Sequence, residues 1–244
     1  MPSSSHNIDS VRVTFDHDQA VADAGLMLTG TLVKRLGLEV FADEVVGVGY
    51  RPGRKLLTLV QTIVAGGDCI DDVNLLRAGA TSRIVGHDTV AASTVGSWLR
   101  QFTFGHVRQL DRVAEAALTR AWAAGGGPGD GPMFIDVDST VVEVHGHDKQ
   151  GAAYGYTRVL GYHPILATRA DTGEVLHSRM RKGSANTGRG AQRFVRETIG
   201  RVRRAGAAGK LTFRADSGFW SHKVMDACVA HGVRVSVALC KCVA

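Results

Sequence analysis

Two textures of apolar spacing divide the chain. Apolar residues recur at helical intervals through residues 21–36, 56–64, 73–76, 94–102 and 107–122, which predicts a mostly helical region over 15–124 behind a polar, flexible stretch at 1–14. Ser93-Thr94-Val95-Gly96-Ser97-Trp98-Leu99-Arg100 reads as a helix with Ser93 as N-cap and Trp98 and Leu99 facing a core. It suits the second helix of a helix-turn-helix or a plain amphipathic helix of a bundle. The run Gly125-Gly126-Gly127-Pro128-Gly129-Asp130-Gly131-Pro132 supports neither helix nor strand, and predicts a linker over 125–132.

Beyond it the pattern turns β-like. Residues 133–144 form one apolar, β-branched run. Strands at 162–169 and 174–180 follow, joined by the hairpin turn Asp171-Thr172-Gly173. A helix over 190–205, a strand over 211–215, a helix from the N-cap Ser221 to Gly232 and a strand over 234–239 complete the order βββαβαβ. A meander followed by alternating units predicts a mixed α+β domain over 133–244, a sheet flanked by helices.

Composition adds limits. With 244 residues and 44% hydrophobic content, the chain is long enough for a substantial core, and 30 glycines imply generous loops. No apolar run approaches the ~18 residues of a membrane span, and the start MPSSSHNIDS has neither the basic nor the apolar region of a secretory signal, so a soluble protein of the cytoplasm is expected. Cys69, Cys228, Cys240 and Cys242 form no CxxC pair and read as reduced thiols.

Charge is unevenly distributed. Residues 1–130 carry 12 Lys+Arg against 14 Asp+Glu, net −2, and residues 131–244 carry 17 against 9, net +8. From Arg179 to Arg214 there are eleven basic side chains and one acid, Glu197, which points to a polyanion such as DNA. On the helix over 190–205, Val195, Ile199 and Val202 form a buried stripe, with Arg193, Arg196 and Arg203 opposite and Arg189 just before. Arg181, Lys182 and Arg204 extend this candidate phosphate surface, since a guanidinium fork donates two parallel bonds to a phosphate.

Candidate chemistry lies at two strand ends. In Ile135-Asp136-Val137-Asp138-Ser139-Thr140, a period of two puts Asp136 and Asp138 on one face and Ile135 and Val137 on the other. Carboxylates on a largely apolar strand call for a cation or a basic partner. Asp216, in Arg214-Ala215-Asp216-Ser217-Gly218-Phe219-Trp220-Ser221, stands where a short strand ends before a helix, a usual position for functional groups in such sheets. Two acids meeting at one sheet end offer hard oxygen ligands for Mg²⁺ or Mn²⁺. His145, His147 and Asp148 read as loop residues. Tyr154, Tyr156 and Tyr162 suit either packing or base stacking.

The segments IDVDSTVVEVHG (135–146), GAAYGYTRVLGYHPILATRADTGEVLHSRMRKGSANTGRGAQRFV (151–195) and RADSGFWSHKV (214–224), with GDCIDDVNLLRAG (67–79) upstream, resemble the group-1 DDE transposases of bacterial insertion sequences. The resemblance implies a ribonuclease-H-like core that performs metal-dependent phosphoryl transfer on DNA ends and target DNA, with Mg²⁺ or Mn²⁺ as cofactor and two copies acting at synapsis. It implies Asp138 and Asp216 as catalytic, metal-holding carboxylates, with Asp136 accessory. The family's third carboxylate is a Glu on a later helix, and no residue here matches it. After Asp216 the sequence holds one acid, Asp226, so a truncated chain, inactive alone, is expected. One competing reading is a DNA-binding remnant without turnover. Another is a haloacid-dehalogenase-type phosphatase using Asp136 as nucleophile and Asp138 as acid/base.

Overall fold

The computed structural model describes residues 17, 19–146 and 148–238. The expected flexible start, His147, Cys240, Cys242 and the end of the last strand lie outside the described residues. The chain divides into two compact units between Val113 and Ala114.

In the first unit the helices are α1 (Leu26–Arg35), α2 (Leu38–Val45), α3 (Pro52–Val64), α4 (Ala92–Leu99) and the start of α5 (Phe104–Ala121). A tighter 3₁₀ segment, Ile70–Arg77, occupies the predicted 73–76 position. Ala42, Val46, Val48, Trp98 and Val113 form one core cluster; Leu26, Leu76 and Val85 form another. The expected α4 capping is corrected: α4 starts one residue before Ser93, on Ala91, without a side-chain cap. Trp98 is buried, donating its indole N–H to Val48 O at 2.9 Å, but Leu99 faces solvent. Helix α2 lies outside the predicted helical segments, although Phe41 and Val45 stand at i, i+4 and Glu39 sits in its first turn.

In the second unit a five-stranded sheet has the order β6-β5-β1-β7-β8, with β1 Met133–Ser139, β5 Ile165–Arg169, β6 Val175–Arg179, β7 Leu211–Ala215 and β8 Arg234–Val237. β1 pairs antiparallel with β5 and β5 with β6, whereas β1–β7 and β7–β8 are parallel, which is the predicted mixed sheet. Met133, Ile135 and Val137 of β1 and Leu211 and Phe213 of β7 turn into one core with Phe194, Val195, Ile199 and Val202 of α6 (Ala191–Ala205) and Val224 and Cys228 of α7 (His222–Val229). Ser221 caps α7 as predicted, its hydroxyl accepting the Val224 N–H at 3.3 Å. Phe134, Asp136, Asp138 and Arg214 stay accessible on the other face.

The expected single run over 133–144 is broken. β1 stops at Ser139, and the chain enters a smaller antiparallel sheet of order β2-β4-β3, with β2 Val142–Glu143, β3 Ala153–Tyr154 and β4 Leu160–Tyr162. Backbones crowd closely there. A Cβ on Gly183 would lie 2.0 Å from Gly161 O and 2.2 Å from Ala153 O, so only glycine fits.

The Gly-rich stretch at 125–132 is held against this second unit. Arg169 donates to Gly126 O at 2.9 Å, Ala208 N–H to Gly129 O at 3.1 Å, and Leu118 of α5 and Trp122 just after it join the sheet core. Among the described residues no helix is long and apolar enough to cross a membrane.

Candidate active site

The parallel register of β1 and β7 builds the site. Asp136 pairs with Arg214 and Val137 with Ala215, so the next residue on each strand is an acid, Asp138 and Asp216. Asp216 keeps an extended backbone, φ −75° and ψ 175°, and the strand alternation therefore continues through it. Asp136 and Arg214 form a facing pair; Asp138 and Asp216 are the next pair along the same face, at the C-terminal ends of neighbouring strands. Adjacent strands run about 4.8 Å apart, so the register sets these two positions side by side at the sheet end.

Each acid is oriented by backbone amides. Asp138 Oδ1 accepts Ser139 N–H at 2.7 Å and Asp216 Oδ1 accepts Gly218 N–H at 3.1 Å. Among the described residues neither carboxylate forms an ion pair, and both are exposed. That leaves one oxygen of each without a protein partner, which fits a hard divalent ion. Asp136 differs. Arg214 grips it with two parallel bonds of 2.6 Å each, Nε to Oδ1 and Nη2 to Oδ2. The paired carboxylate holds the guanidinium's pKa above its usual value. Asp136 is thus occupied by the basic partner that an acid on this strand calls for. This also removes the free nucleophile a phosphatase of the dehalogenase type needs, and β1 leads into strands where such an enzyme needs a helix.

Arg181 has a structural task. Its Nη1 donates to the carbonyls of Asn186, Thr187 and Arg189, at 3.2, 3.0 and 3.0 Å, and its Nε to His163 O at 2.9 Å. Burial pushes its pKa down from the ordinary value. The segment it gathers touches the acid's own turn, because a Cβ on Gly218 would lie 3.0 Å from Thr187 Cγ2. Arg181 therefore shapes the wall beside Asp216, a role that the basic-residue count did not reveal.

The arginines of α6 fall into two groups. Arg203 donates to Ala207 O at 2.6 Å and Gly209 O at 2.8 Å, closing the helix end, and Arg204 bonds Glu115 at 2.7 Å. Arg193 is tied to Glu197 at 2.9 Å, and Arg179 reaches the same carboxylate at 2.5 Å. Arg196, Arg189 and Lys182 are exposed, and their side chains make no hydrogen bond or ion pair among the described residues. Glu174 accepts the Trp122 indole N–H at 2.9 Å and lies on the hairpin, away from the two strand ends.

A cluster of Asp68, Cys69 and Asp72 has ligand-like proximity but another purpose. Asp72 Oδ2 accepts the N–H groups of Asp68 and Cys69, each at 2.9 Å, and these bonds lower its pKa. It caps the 3₁₀ segment. His145 and Asp148 are exposed in the loop after β2. Tyr154 and Tyr156 are exposed too, while Tyr162 donates its hydroxyl to Gln150 O at 3.1 Å.

The family described as Transposase DDE domain group 1 matches residues 3–242, nearly the whole chain. The chain belongs to this transposase family. The family and the mixed α+β architecture thus agree with what the resemblance implied. Among curated proteins none matches significantly. Two solved structures are similar in part. One is a piggyBac transposase synaptic complex with hairpin DNA, 10% identical, with 90% of this chain and 51% of that chain covered and a TM-score of 0.43. The other is a Mos1 transposase paired-end complex with its left transposon end, 12% identical, with 77% and 60% covered and a TM-score of 0.30. The chain spans about half the length of the first and 60% of the second.

Proposed function

We propose that this chain acts in DNA transposition, binding the ends of an insertion sequence and supporting metal-dependent phosphoryl transfer at Asp138 and Asp216, with two copies working together when the ends are paired. The observation that carries the reading is the β1–β7 register, in which two incompletely satisfied carboxylates follow the last paired residues, Val137 and Ala215. A divalent ion, Mg²⁺ or Mn²⁺, would supply charge neutralisation for the attacking and leaving oxygens of a phosphodiester. Asp138 and Asp216 would hold it, their orientation set by Ser139 and Gly218 amides. Arg214 keeps Asp136 neutralised, which limits repulsion between the site and incoming phosphate. Arg196, Arg189 and Lys182 supply mobile positive charge for the DNA backbone.

Two carboxylates satisfy little of the octahedral demand of Mg²⁺. We therefore expect DNA binding and weak metal binding from these 244 residues, with strand cleavage requiring a further acid. Purified protein, Mn²⁺ or Mg²⁺ and candidate terminal-repeat DNA provide the test. Metal-independent DNA binding with no nicking is the expected result. Nicking that vanishes in Asp216→Ala would establish that the two-acid site suffices. Failure to bind any DNA would overturn the proposed function.

A further inference from the structure

We propose that the helical first unit holds a separate phosphate seat, built around Lys55, that takes one phosphate of a DNA strand at a fixed position. The proposal rests on the transposase reading for the identity of the strand but not for the chemistry of the seat.

An open cavity of about 360 Å³ lies between the start of α3 and one face of α4. Lys55, Ser93, Thr94, Ser97 and Gln101 line it, with Trp98 at its floor. Lys55 is the unusual member, because only 9% of it is exposed. Its ammonium donates to Tyr50 O and has no carboxylate partner among the described residues. A buried cation with a single neutral acceptor is costly, and its remaining N–H bonds call for an anion. Four of the other lining side chains are suited to phosphate oxygens: the hydroxyls of Ser93, Thr94 and Ser97 and the amide of Gln101. Arg100 adds a second cation at the rim, its Nη2 donating to the Ser97 hydroxyl at 3.3 Å. Ala91 gives α4 no side-chain cap, and while the Thr94 and Val95 N–H groups donate to Ala91 O at 3.0 and 3.1 Å, the Ala92 and Ser93 amides make no hydrogen bond among the described residues and can serve the same anion.

The backbone is shaped to leave this space open. Gly49 has φ +72°, and a Cβ there would come within 2.9 Å of Trp98 and 3.4 Å of the Lys55 ammonium. Any other residue at 49 would crowd the seat and strain the turn. At the mouth, Tyr50 is largely exposed, with the Arg51 guanidinium 5.2 Å from its ring centre, an arrangement suited to a nucleoside beside its phosphate.

Charge favours a DNA strand over diffuse polyanion attraction. The first unit, residues 1–113, carries 11 Lys+Arg against 12 Asp+Glu, so it offers DNA no net attraction at long range. A cationic pocket within such a region fixes one phosphate in register, while the basic second unit supplies the bulk attraction. A free mononucleotide or inorganic phosphate offers the same chemistry, and the experiment separates these sources.

The full chain is titrated with a short fluorescent duplex at several salt concentrations, and separately with inorganic phosphate and a 5′-mononucleotide by calorimetry. Two variants are compared: Lys55→Met, which keeps the length of the stem, and Ser97→Asp, an exposed change that sets a carboxylate in the pocket. Circular dichroism and melting temperature check that each is folded. Both variants are expected to weaken duplex binding by about tenfold, the loss of one charge-assisted contact. Lys55→Met should also lower the slope of log K against log salt by about one. Wild-type DNA affinity in folded Ser97→Asp would overturn the proposal while leaving the transposition reading intact. Absence of wild-type DNA binding, with phosphate or mononucleotide binding lost in Ser97→Asp, would keep the seat and reassign its ligand to a small phosphate. Absence of both would overturn it together with its DNA source.

Discussion

Asp136 and Asp138 share one strand face and differ in everything that matters for chemistry. The first is neutralised by Arg214 across a parallel pair, and the second reaches the strand end with one oxygen free. This difference has an unusual corollary. Asp138→Asn or Asp216→Asn should abolish Mn²⁺ binding read by calorimetry or electron paramagnetic resonance. Arg214→Ala should tighten it, by releasing the Asp136 carboxylate and removing a cation from the same face. Weaker binding in Arg214→Ala would mean that the guanidinium orients the acids instead of competing for them. A second residue-scale effect concerns Cys228, a core thiol whose pKa burial raises from 9.0 to about 11. The folded state prefers the neutral thiol, so its contribution is complete below pH 9 and is lost as pH rises through 11. The melting temperature should fall across that interval in the wild type more steeply than in Cys228→Ala. Parallel curves would show that another group governs alkaline unfolding.

At the scale of elements, α6 illustrates how far spacing can be trusted. Its apolar stripe at Val195, Ile199 and Val202 is buried as periodicity predicts, and β7 and the α7 cap match the sequence reading at their boundaries. Such features are local, decided by period and by a capping hydroxyl. What the pattern could not reveal depends on partners far along the chain. Arg181, Arg203 and Arg204 look like Arg196 in sequence, yet carbonyls at 163, 186, 187, 189, 207 and 209 and the Glu115 carboxylate engage them. The break after Ser139 was hidden for the same reason, since an apolar β-branched run does not tell which of two sheets it joins. The Asp136–Arg214 pair had a trace in sequence: Arg214 stands two residues before Asp216, on its face of the strand. These partners make the basic surface testable. Arg189→Ala with Arg196→Ala should lower the salt slope of DNA binding by about two. Arg203→Ala should leave the slope almost unchanged and lower the melting temperature, because it removes donors from the end of α6. Equal slope changes in both variants would return Arg203 to the phosphate surface.

For the molecule as a whole, the boundary between units follows packing more closely than composition. The eight residues at 125–132 have the look of a linker, and the expected division of the chain follows from that. The contacts divide it between Val113 and Ala114 instead. The physical reason is the second half of α5. Leu118 and Trp122 enter the core with Met133 and Ile135, Glu174 takes the Trp122 indole N–H, and Arg169 lies 5.9 Å from the Trp122 ring while bonding Gly126 O. A fragment beginning at residue 131 loses all of this. Removing one buried Trp and one buried Leu costs roughly 5–10 kcal/mol by analogy with core truncations, comparable to the whole stability of a domain of this size. A fragment beginning at Ala114 keeps those side chains. It should therefore melt cooperatively by circular dichroism and bind DNA with most of the salt dependence of the full chain, since the basic excess lies in 131–244, where 17 Lys+Arg stand against 9 Asp+Glu. The fragment beginning at residue 131 should show no cooperative transition. If both melt alike, α5 contributes little to the sheet core, and the Gly-rich stretch marks the boundary after all.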